Sequence, residues 1–448
     1  MRDAVTPMWT SVSRSLALAP LLALILYSTA DANGILRNGV GARAMGVGGA
    51  VVASPEGPLD SMVINPAGLT LLDAPTVDLS VTGVTAHGTF TNRANSDGDL
   101  SNDPGFIPDG AFGVRLGPVT LGLAVTTLSG LVADWDYIDT PGGVGGVSYG
   151  RQEHRSRIFV LRSALGAGYQ ITPDLSIGAT AGMMYNENSL TAPYIFQNQP
   201  QLRGLKTLLD LETRGFGWNA SAGILYRPHR DVQLGLSYTS PTRIDTFGEA
   251  SGNAGVQLAA LGLGAARPDF RYDAEVHTHL PQVVSGGVSW NVVPRWRLNL
   301  QVDWIDWGES FDTLPIKLTN GNNSDINGVV GSDTIKENPP LKWEDRFVYR
   351  VGVEYAVLDA LTLRLGYAYG KSPVPDETLT PLTGVIMEHT VAAGAGYRWN
   401  RFRIDLGYQY DIPTSRHVGQ SRLLSGEYSD SRTEVGIHSV GLTGSYRF

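Results

Sequence analysis

Several stretches of the chain alternate strictly between apolar and polar residues, and their apolar faces are bounded by aromatic rings. From Phe402 to Ile412, one face carries Phe402, Ile404, Leu406, Tyr408, Tyr410 and Ile412, and the other Arg403, Asp405, Gly407, Gln409 and Asp411. Leu361 to Lys371 and Trp296 to Trp304 repeat the pattern. Period two is the repeat of a β-strand. A half-buried strand of a soluble sandwich alternates too, but Tyr or Trp recurring at the ends of the apolar face favours a strand that crosses a bilayer between two aromatic rims. After residue 32 no run approaches 18 consecutive apolar residues, which excludes spanning helices. A mean hydropathy near zero is no obstacle, because the lumen face of a barrel strand is polar. The 54 Gly and 25 Pro argue against a helix-rich fold, and 39 aromatic residues (18 Tyr, 9 Trp, 12 Phe) with 17% charged residues argue against disorder.

The N-terminus has its own order. Arg2 and Arg14 precede an apolar stretch from Leu16 to Tyr27, which is followed by Ala30-Asp31-Ala32. Charge, short apolar run and A-x-A site make residues 1–32 a secretory signal, with Asn33 the expected mature N-terminus. The chain has no Cys, so disulfide frameworks and Cys-based zinc or redox motifs are excluded. The net charge of −9 and the absence of Lys/Arg runs argue against nucleic acid as a partner.

Alternation places strands near 76–90, 109–117, 119–132, 155–171, 174–189, 208–227, 232–249, 273–291, 295–309, 342–356, 361–371, 388–399, 402–413 and 432–448, fourteen in all. Their connections alternate between tight and long. Gly117-Pro118, Thr172 to Asp174, Pro228 to Asp231, Val293 to Arg295, Val357 to Ala360 and Asn400-Arg401 are tight, and the connections between them are long. Short periplasmic turns and long outer loops are the habit of outer-membrane barrels. In the last strand, Val440, Leu442, Gly444, Tyr446 and the terminal Phe448 share one face. The expectation is an all-β fold, a 14-stranded antiparallel transmembrane β-barrel over residues 76–448, in the cell outer membrane of a Gram-negative bacterium.

Residues 33–75 do not alternate. They contain GVGARAMGVGGAVVA and INPAGLTLL, small and Gly-rich, with Pro66 fixing φ in an Asn65-Pro66-Ala67 turn. Here the chain resembles the FadL family of outer-membrane transporters of long-chain fatty acids and other hydrophobic compounds, whose N-terminal hatch plugs the barrel and carries an NPA motif matched by Asn65, Pro66 and Ala67. The resemblance continues through YRPHRDVQLGLSYTSPTRIDTFGEA, HLPQVVSGGVSWNVVPRWRLNLQVDWIDWGESFDTLPI and YRVGVEYAVLDALTLRLGYAYGKSPVPDE. It departs at PLTGVIMEHTV, where the family often has a Pro-Asp-x-x-Arg-like segment, and the departure bears on substrate more than on fold. The resemblance implies passive transport by a monomer set in outer-membrane lipid and lipopolysaccharide, without a cofactor or metal. Ligand enters an apolar outer groove and a pocket above the hatch, the mature N-terminus (Asn33, Gly34, Ile35) shifts, and release is lateral through a kinked third strand. In that strand Gly122 and Gly130 are the kink candidates.

Some of this has support in the residues themselves. Apolar side chains in outer loops mark a binding surface, or else merely pack the loops over the mouth. Loop 190–209 carries Leu190, Tyr194, Ile195, Phe196, Leu202 and Leu205, and loop 250–267 carries Val256, Leu258, Leu261 and Leu263. A fatty acid also brings a carboxylate that needs a cation or donors when buried. Arg157, Lys317, Arg346 and Arg350 are candidates, although each could instead pair with a lumen acid such as Glu354.

Competing readings are an aromatic-hydrocarbon channel, a general porin, and an outer-membrane lipid hydrolase with Ser148 as nucleophile. Gly146-Val147-Ser148-Tyr149-Gly150 fits G-x-S-x-G but lies in a Gly-rich loop with no helix after it. His277 and His279 share a strand face without a third metal ligand nearby and read as a solvated pair.

Overall fold

The computed structural model describes residues 34–100, 103–423 and 426–448. The expected signal sequence and Asn33 lie outside them. Fourteen antiparallel strands close into one barrel: β1 Thr76–Thr91, β2 Gly105–Leu116, β3 Val119–Ile138, β4 Arg151–Thr172, β5 Leu175–Ile195, β6 Lys206–His229, β7 Val232–Thr239 with Thr242–Asn253, β8 Asp269–Leu280 with Val283–Val293, β9 Trp296–Ile305, β10 Arg346–Ala356, β11 Leu361–Gly370, β12 His389–Trp399, β13 Phe402–Val418 and β14 Ser431–Arg447. The interruptions in β7 and β8 fall beside Pro241 and Pro281, which have no amide proton for the ladder. Closure joins β1 to β14, from Thr76 opposite Arg447 to Thr91 opposite Arg432, and the Phe448 amide adds a bond to the Pro75 carbonyl at 2.9 Å.

All fourteen expected strands are present, with the expected tight turns. Three turns use residues in the left-handed region, Gly117 (φ 65°), Arg295 (φ 73°) and Asn400 (φ 53°). By the convention of bacterial outer-membrane barrels, this turn end faces the periplasm. Outward side chains form an apolar belt with aromatic rims. On β6 the rims are Trp218 and Tyr226, eight residues apart, which spans roughly 20 Å on a tilted strand. Beyond the belt, β3 and β5 each run six residues past the expected strand ends, to Ile138 and Ile195, with β5 paired to β6 out to Ile195 opposite Lys206.

Residues 34–75 lie inside the barrel. Helix α1 (Ala42–Gly46) packs against β11 to β14, α2 (Gly57–Val63) against β1 to β3, and a 3-10 helix (Pro66–Leu71) against β3 to β6. Asn65 caps the 3-10 helix by accepting from the Ala67 amide at 3.2 Å. Its side-chain amide donates to the carbonyls of Val52 (2.8 Å) and Ile224 (3.1 Å), tying the turn to the segment and to the wall.

What admits this segment is a ring of inward-facing glycines. A Cβ at Gly178 would lie 2.3 Å from Pro66, at Gly223 2.0 Å from the Asn65 side chain, at Gly235 2.2 Å from the Val52 carbonyl, at Gly366 2.2 Å from Gly48 and at Gly407 2.3 Å from Ala42. Gly113, Gly122, Gly166, Gly287, Gly352, Gly394 and Gly441 serve their own strands in the same way. The two remaining strands supply acceptors instead. On β1, Asp78 accepts from the Leu59 amide at 3.0 Å, and on β9, Gln301 accepts from the Val51 and Val52 amides at 2.9 and 2.8 Å. Close backbone approach and satisfied amides thus hold the segment against every strand.

An ionic web adds to the seat. Arg43 reaches Asp60 (2.7 Å), Glu354 (2.8 Å) and Glu56 (3.3 Å), Glu56 also meets Arg297 and Arg403, and Arg364 bridges Glu354 to Asp405. Such webs fix register more than they add stability, but losing one partner strands a buried charge.

Candidate functional site

The wall is interrupted between β2 and β3, and the start of the described chain lies in the interruption. The ladder between β2 and β3 runs from Leu116 opposite Val119 to Gly110 opposite Val125 and, among the described residues, goes no further. Each strand continues with its other neighbour, β2 along β1 to Gly105 and β3 along β4 to Ile138. The register of β3 against β4 shifts between Thr127 and Ser129. Into the space comes the N-terminal segment. Leu36 makes a β-bridge with Ser129, and the Arg37 amide donates to the Leu128 carbonyl at 3.4 Å. The Arg37 guanidinium donates to the Thr127 carbonyl (2.9 Å), to both Asp109 oxygens (2.8 and 3.1 Å) and to Thr82 Oγ1 (3.1 Å), while Asp109 also accepts from the Thr127 amide at 2.9 Å. Two residues of the N-terminal segment stand where a strand would be.

The irregularity sits at Leu128, not at Gly122 or Gly130. Gly122 lies in regular ladder, and its missing side chain makes room for Met62 and Leu69. Gly130 pairs with Phe159 beyond the shift. An unpaired extra residue bends a strand whatever its side chain, so a glycine was not required.

Above this point the lumen is filled by an apolar cluster. Ile35 is buried in it, with Val84, Ile107, Leu131 and Val160 nearby in the cluster. Gly34, at φ 75°, lies against Trp307, whose ring meets Trp343 (5.2 Å) within a group completed by Phe311. At the turn end a vestibule of about 620 Å³ stops on Glu56, Arg297, Glu354, Arg364 and Arg403, the ionic web under the N-terminal segment.

The two outer apolar stretches behave differently. Leu190, Tyr194 and Ile195 belong to β5 rather than to a loop, because β5 and β6 stay paired beyond the belt. With Phe196 and Leu202, Tyr194 and Ile195 are buried in the mouth, and Leu190 and Leu205 pack partly buried on the same cluster. A second correction concerns the loop after β7, which starts past Asn253 and contains a short helix, Gly255–Ala260. There Leu258 is buried, but Val256, Leu261 and Leu263 are 43%, 42% and 53% exposed. The first stretch closes the mouth and the second shows apolar side chains to the outside.

The basic candidates do not converge. Arg157 meets Glu187 at 3.4 Å and lies over the Phe159 ring. Lys317 is half-exposed beside Glu275 at 3.5 Å, and Arg346 holds Glu344 and the Ser372 carbonyl. Arg350 faces inward as alternation required, yet its acid is Asp303 at 2.6 Å rather than Glu354, which the web occupies. Its guanidinium also donates to Asn38 and to the Gly48 carbonyl, both at 2.9 Å, so it holds the N-terminal segment.

Ser148 is a turn former: its hydroxyl donates to the Asp139 carbonyl at 2.6 Å and accepts from the Gly150 amide. The neighbouring Lys206, fully buried, donates to Asp139 (2.6 Å), the Thr140 carbonyl (2.6 Å) and Glu427, and serves as a clamp on the outer loops rather than as a base. His277 pairs with Asp245 at 2.7 Å on the outer surface.

Residues 23–448 match the model of the family described as outer membrane protein transport protein (OMPP1/FadL/TodX). The chain belongs to this family. Among its curated relatives, a long-chain fatty acid transport protein of Salmonella typhi is 23% identical over 372 residues, covering 77% of this chain and 80% of the relative. Outer membrane protein P1 of Haemophilus influenzae is 23% identical over 367 residues, covering 71% and 69%. Of solved structures, the Pseudomonas putida toluene transporter TodX superposes with a TM-score of 0.74 at 19% identity, covering 92% of this chain and 99% of that one. A Pseudomonas aeruginosa FadL homologue gives 0.74 at 17%, covering 93% and 100%. The fold is therefore that of the FadL family, and the protein is an outer-membrane transporter of fatty acids or other hydrophobic compounds, not an enzyme.

Two features of the site carried no flag in the sequence. Arg37 sits one residue beyond Leu36 in a stretch that no periodicity describes. Asp109 is inward-facing by alternation on β2, and an acid at the start of an expected strand reads as a lumen or loop residue.

Proposed function

We propose that residues 1–32 are removed on export, that residues 33–75 act as a hatch in the barrel of residues 76–448, and that hydrophobic cargo leaves sideways through the wall between β2 and β3. The observation that carries the reading is the replacement of strand pairing by Leu36 and Arg37 beside Ser129. A chain segment held there by one β-bridge, a long amide bond and one side chain is far easier to withdraw than a strand with a full ladder. Cargo first meets the exposed Val256, Leu261 and Leu263, passes the mouth closed by Ile195, Phe196 and Leu202, and reaches the apolar interior around Ile35. When Gly34 and Ile35 move, Leu36 and Arg37 move with them and the gap opens to the membrane.

The hatch, seated on glycines and webbed by Arg43, Glu56 and Glu354, stays in place during this step. That seat weighs against a general porin. The barrel acts as a monomer among outer-membrane lipid and lipopolysaccharide, in keeping with the closure of β14 against β1 along its whole length. Fatty acids are the preferred cargo on the names of the curated relatives, and aromatic hydrocarbons such as toluene are the second reading, suggested by the named transporter of the same fold.

Cells that depend on this protein are expected to take up radiolabelled oleate or toluene, and deletion of residues 33–40 is expected to abolish that uptake. Unchanged uptake after the deletion would refute lateral release governed by the N-terminus. In planar bilayers the intact barrel is expected to be nearly silent, whereas steady conductance would favour the porin.

A further inference from the structure

The pair formed by Arg37 and Asp109 lies inside the membrane wall with side-chain exposures of 6% and 0%. Besides Thr82 and the Thr127 backbone, what lies just above it is apolar, with Ile35, Ile107 and Leu131 in one cluster. A guanidinium in such a place cannot be parted from its carboxylate unless another acceptor of the same charge and shape replaces it. Resting on the lateral-release reading, we propose that the pair is an exchangeable lock and that its key is the carboxylate of the cargo.

The chemistry is a swap of one carboxylate for another on Arg37. The guanidinium keeps Thr82 Oγ1 and the Thr127 carbonyl as it enters the exchange, and Asp109 keeps the donation from the Thr127 amide after it. Charge is conserved when the cargo arrives as the protonated acid. Its proton passes to the Asp109 carboxylate, the cargo becomes the anion bound to Arg37, and no other reactant is needed. Arg37 then follows the cargo, and Leu36 leaves Ser129.

There is a matching place for the tail. Ala86, Leu131, Trp135, Pro381 and Ile437 line an apolar crevice that starts four strand residues above the lock, at Ala86 beyond Thr82 and Leu131 beyond Thr127, and reaches Trp135 eight residues above it, a span of roughly 13–26 Å from the lock. It holds only about 10 Å³ in this closed form, so a chain enters only as the gap widens. A neutral hydrocarbon can fill the crevice but cannot turn the lock, which makes Arg37 a selector between acids and neutral compounds.

The test uses the full-length protein and two probes of one chain length, oleate and oleyl alcohol. In the double variant Arg37→Gln/Asp109→Asn both charges vanish while an amide pair replaces the ion pair, so no buried charge is stranded. Oleate uptake is expected to fall about tenfold or more, the worth of a charge-assisted bond, whereas oleyl alcohol, carried poorly by the wild type because it cannot turn the lock, is expected to pass at least as well as before. Asp109→Asn alone keeps an oxygen for the Thr127 amide and frees Arg37, and oleate uptake is expected to be retained or raised. Equal losses for both probes, or no loss of oleate in the double variant, would overturn the proposal and reduce the pair to a structural tie. If the wild-type protein carries neither probe, the lateral-release reading fails first, and this proposal falls with it.

Discussion

Asn65→Ala removes the polar hub of the hatch seat. Three hydrogen bonds disappear: the cap on the Ala67 amide and the donations to the Val52 and Ile224 carbonyls. At about 0.5–1.5 kcal/mol each the loss is roughly 2–4 kcal/mol, since the Asn65 side chain is fully buried and water does not readily take over. The barrel ladders are untouched, so the cost falls on the equilibrium between seated and unseated hatch. Every 1.4 kcal/mol is tenfold, so the unseated fraction rises about 30- to 700-fold. Native-state hydrogen exchange read by mass spectrometry over residues 45–72 measures that fraction directly. Asn65→Asp separates the contributions, because it keeps an acceptor for Ala67 but loses both donors, and it should recover only part of the protection. Protection of residues 45–72 equal to wild type in both variants would refute the seat as described.

Other consequences are testable in the same preparations. Gly366→Val places a side chain where a Cβ alone would lie 2.2 Å from the Gly48 amide, so α1 must lift from β11 and bilayer recordings should change from near silence to frequent openings. Arg350→Ala leaves Asp303 buried without its cation and frees Asn38 and the Gly48 carbonyl, a loss of about 3–5 kcal/mol that should appear as a lower unfolding temperature of the barrel. At the outer surface, burial beside Asp139 pushes the Glu427 carboxyl up to about 8 against the pull of Lys206. The docked loop between β13 and β14 therefore keeps a proton that the undocked carboxyl loses near 4.5, so docking is strongest at low pH and weakens as pH rises from about 4.5 through 8. Limited proteolysis of residues 419–430 should accelerate over that range, and Glu427→Gln should flatten the profile.

The barrel was legible because one face of every strand meets lipid, and lipid enforces period two across the belt, as in Phe402 to Ile412. Where that pressure ends, so does the pattern. Above the belt β5 and β6 are covered by loops on both faces, so Leu190, Tyr194 and Ile195 look like loop residues although they pair with β6. The hatch was legible only through its resemblance, since its partners are remote. A glycine such as Gly223 or Gly407 fits a lumen face under any reading, and its purpose shows only when Asn65 or Ala42 is seen against it. Basic residues were legible as inward or outward but not by partner. Arg350 faced inward as expected, yet whether Asp303 or Glu354 takes it depends on how Arg43 and Arg364 claim Glu354 first. The gap at Leu128 had no marker at all, because a bulge needs an extra residue and not a special one.

The central claim is that Leu36 and Arg37 must leave β3 for cargo to pass. The chain has no cysteine, so the pair Leu36→Cys and Ser129→Cys introduces a single possible disulfide. These residues face one another across a β-bridge, where Cα separations of about 4.5–5.5 Å fall within the range a disulfide accepts. The decisive measurement is uptake of radiolabelled oleate by cells carrying this variant, oxidised and then reduced. The account predicts that oxidation stops uptake and that reduction restores it to the level of either single variant. Uptake that continues unchanged with the disulfide formed would show that cargo leaves by another route.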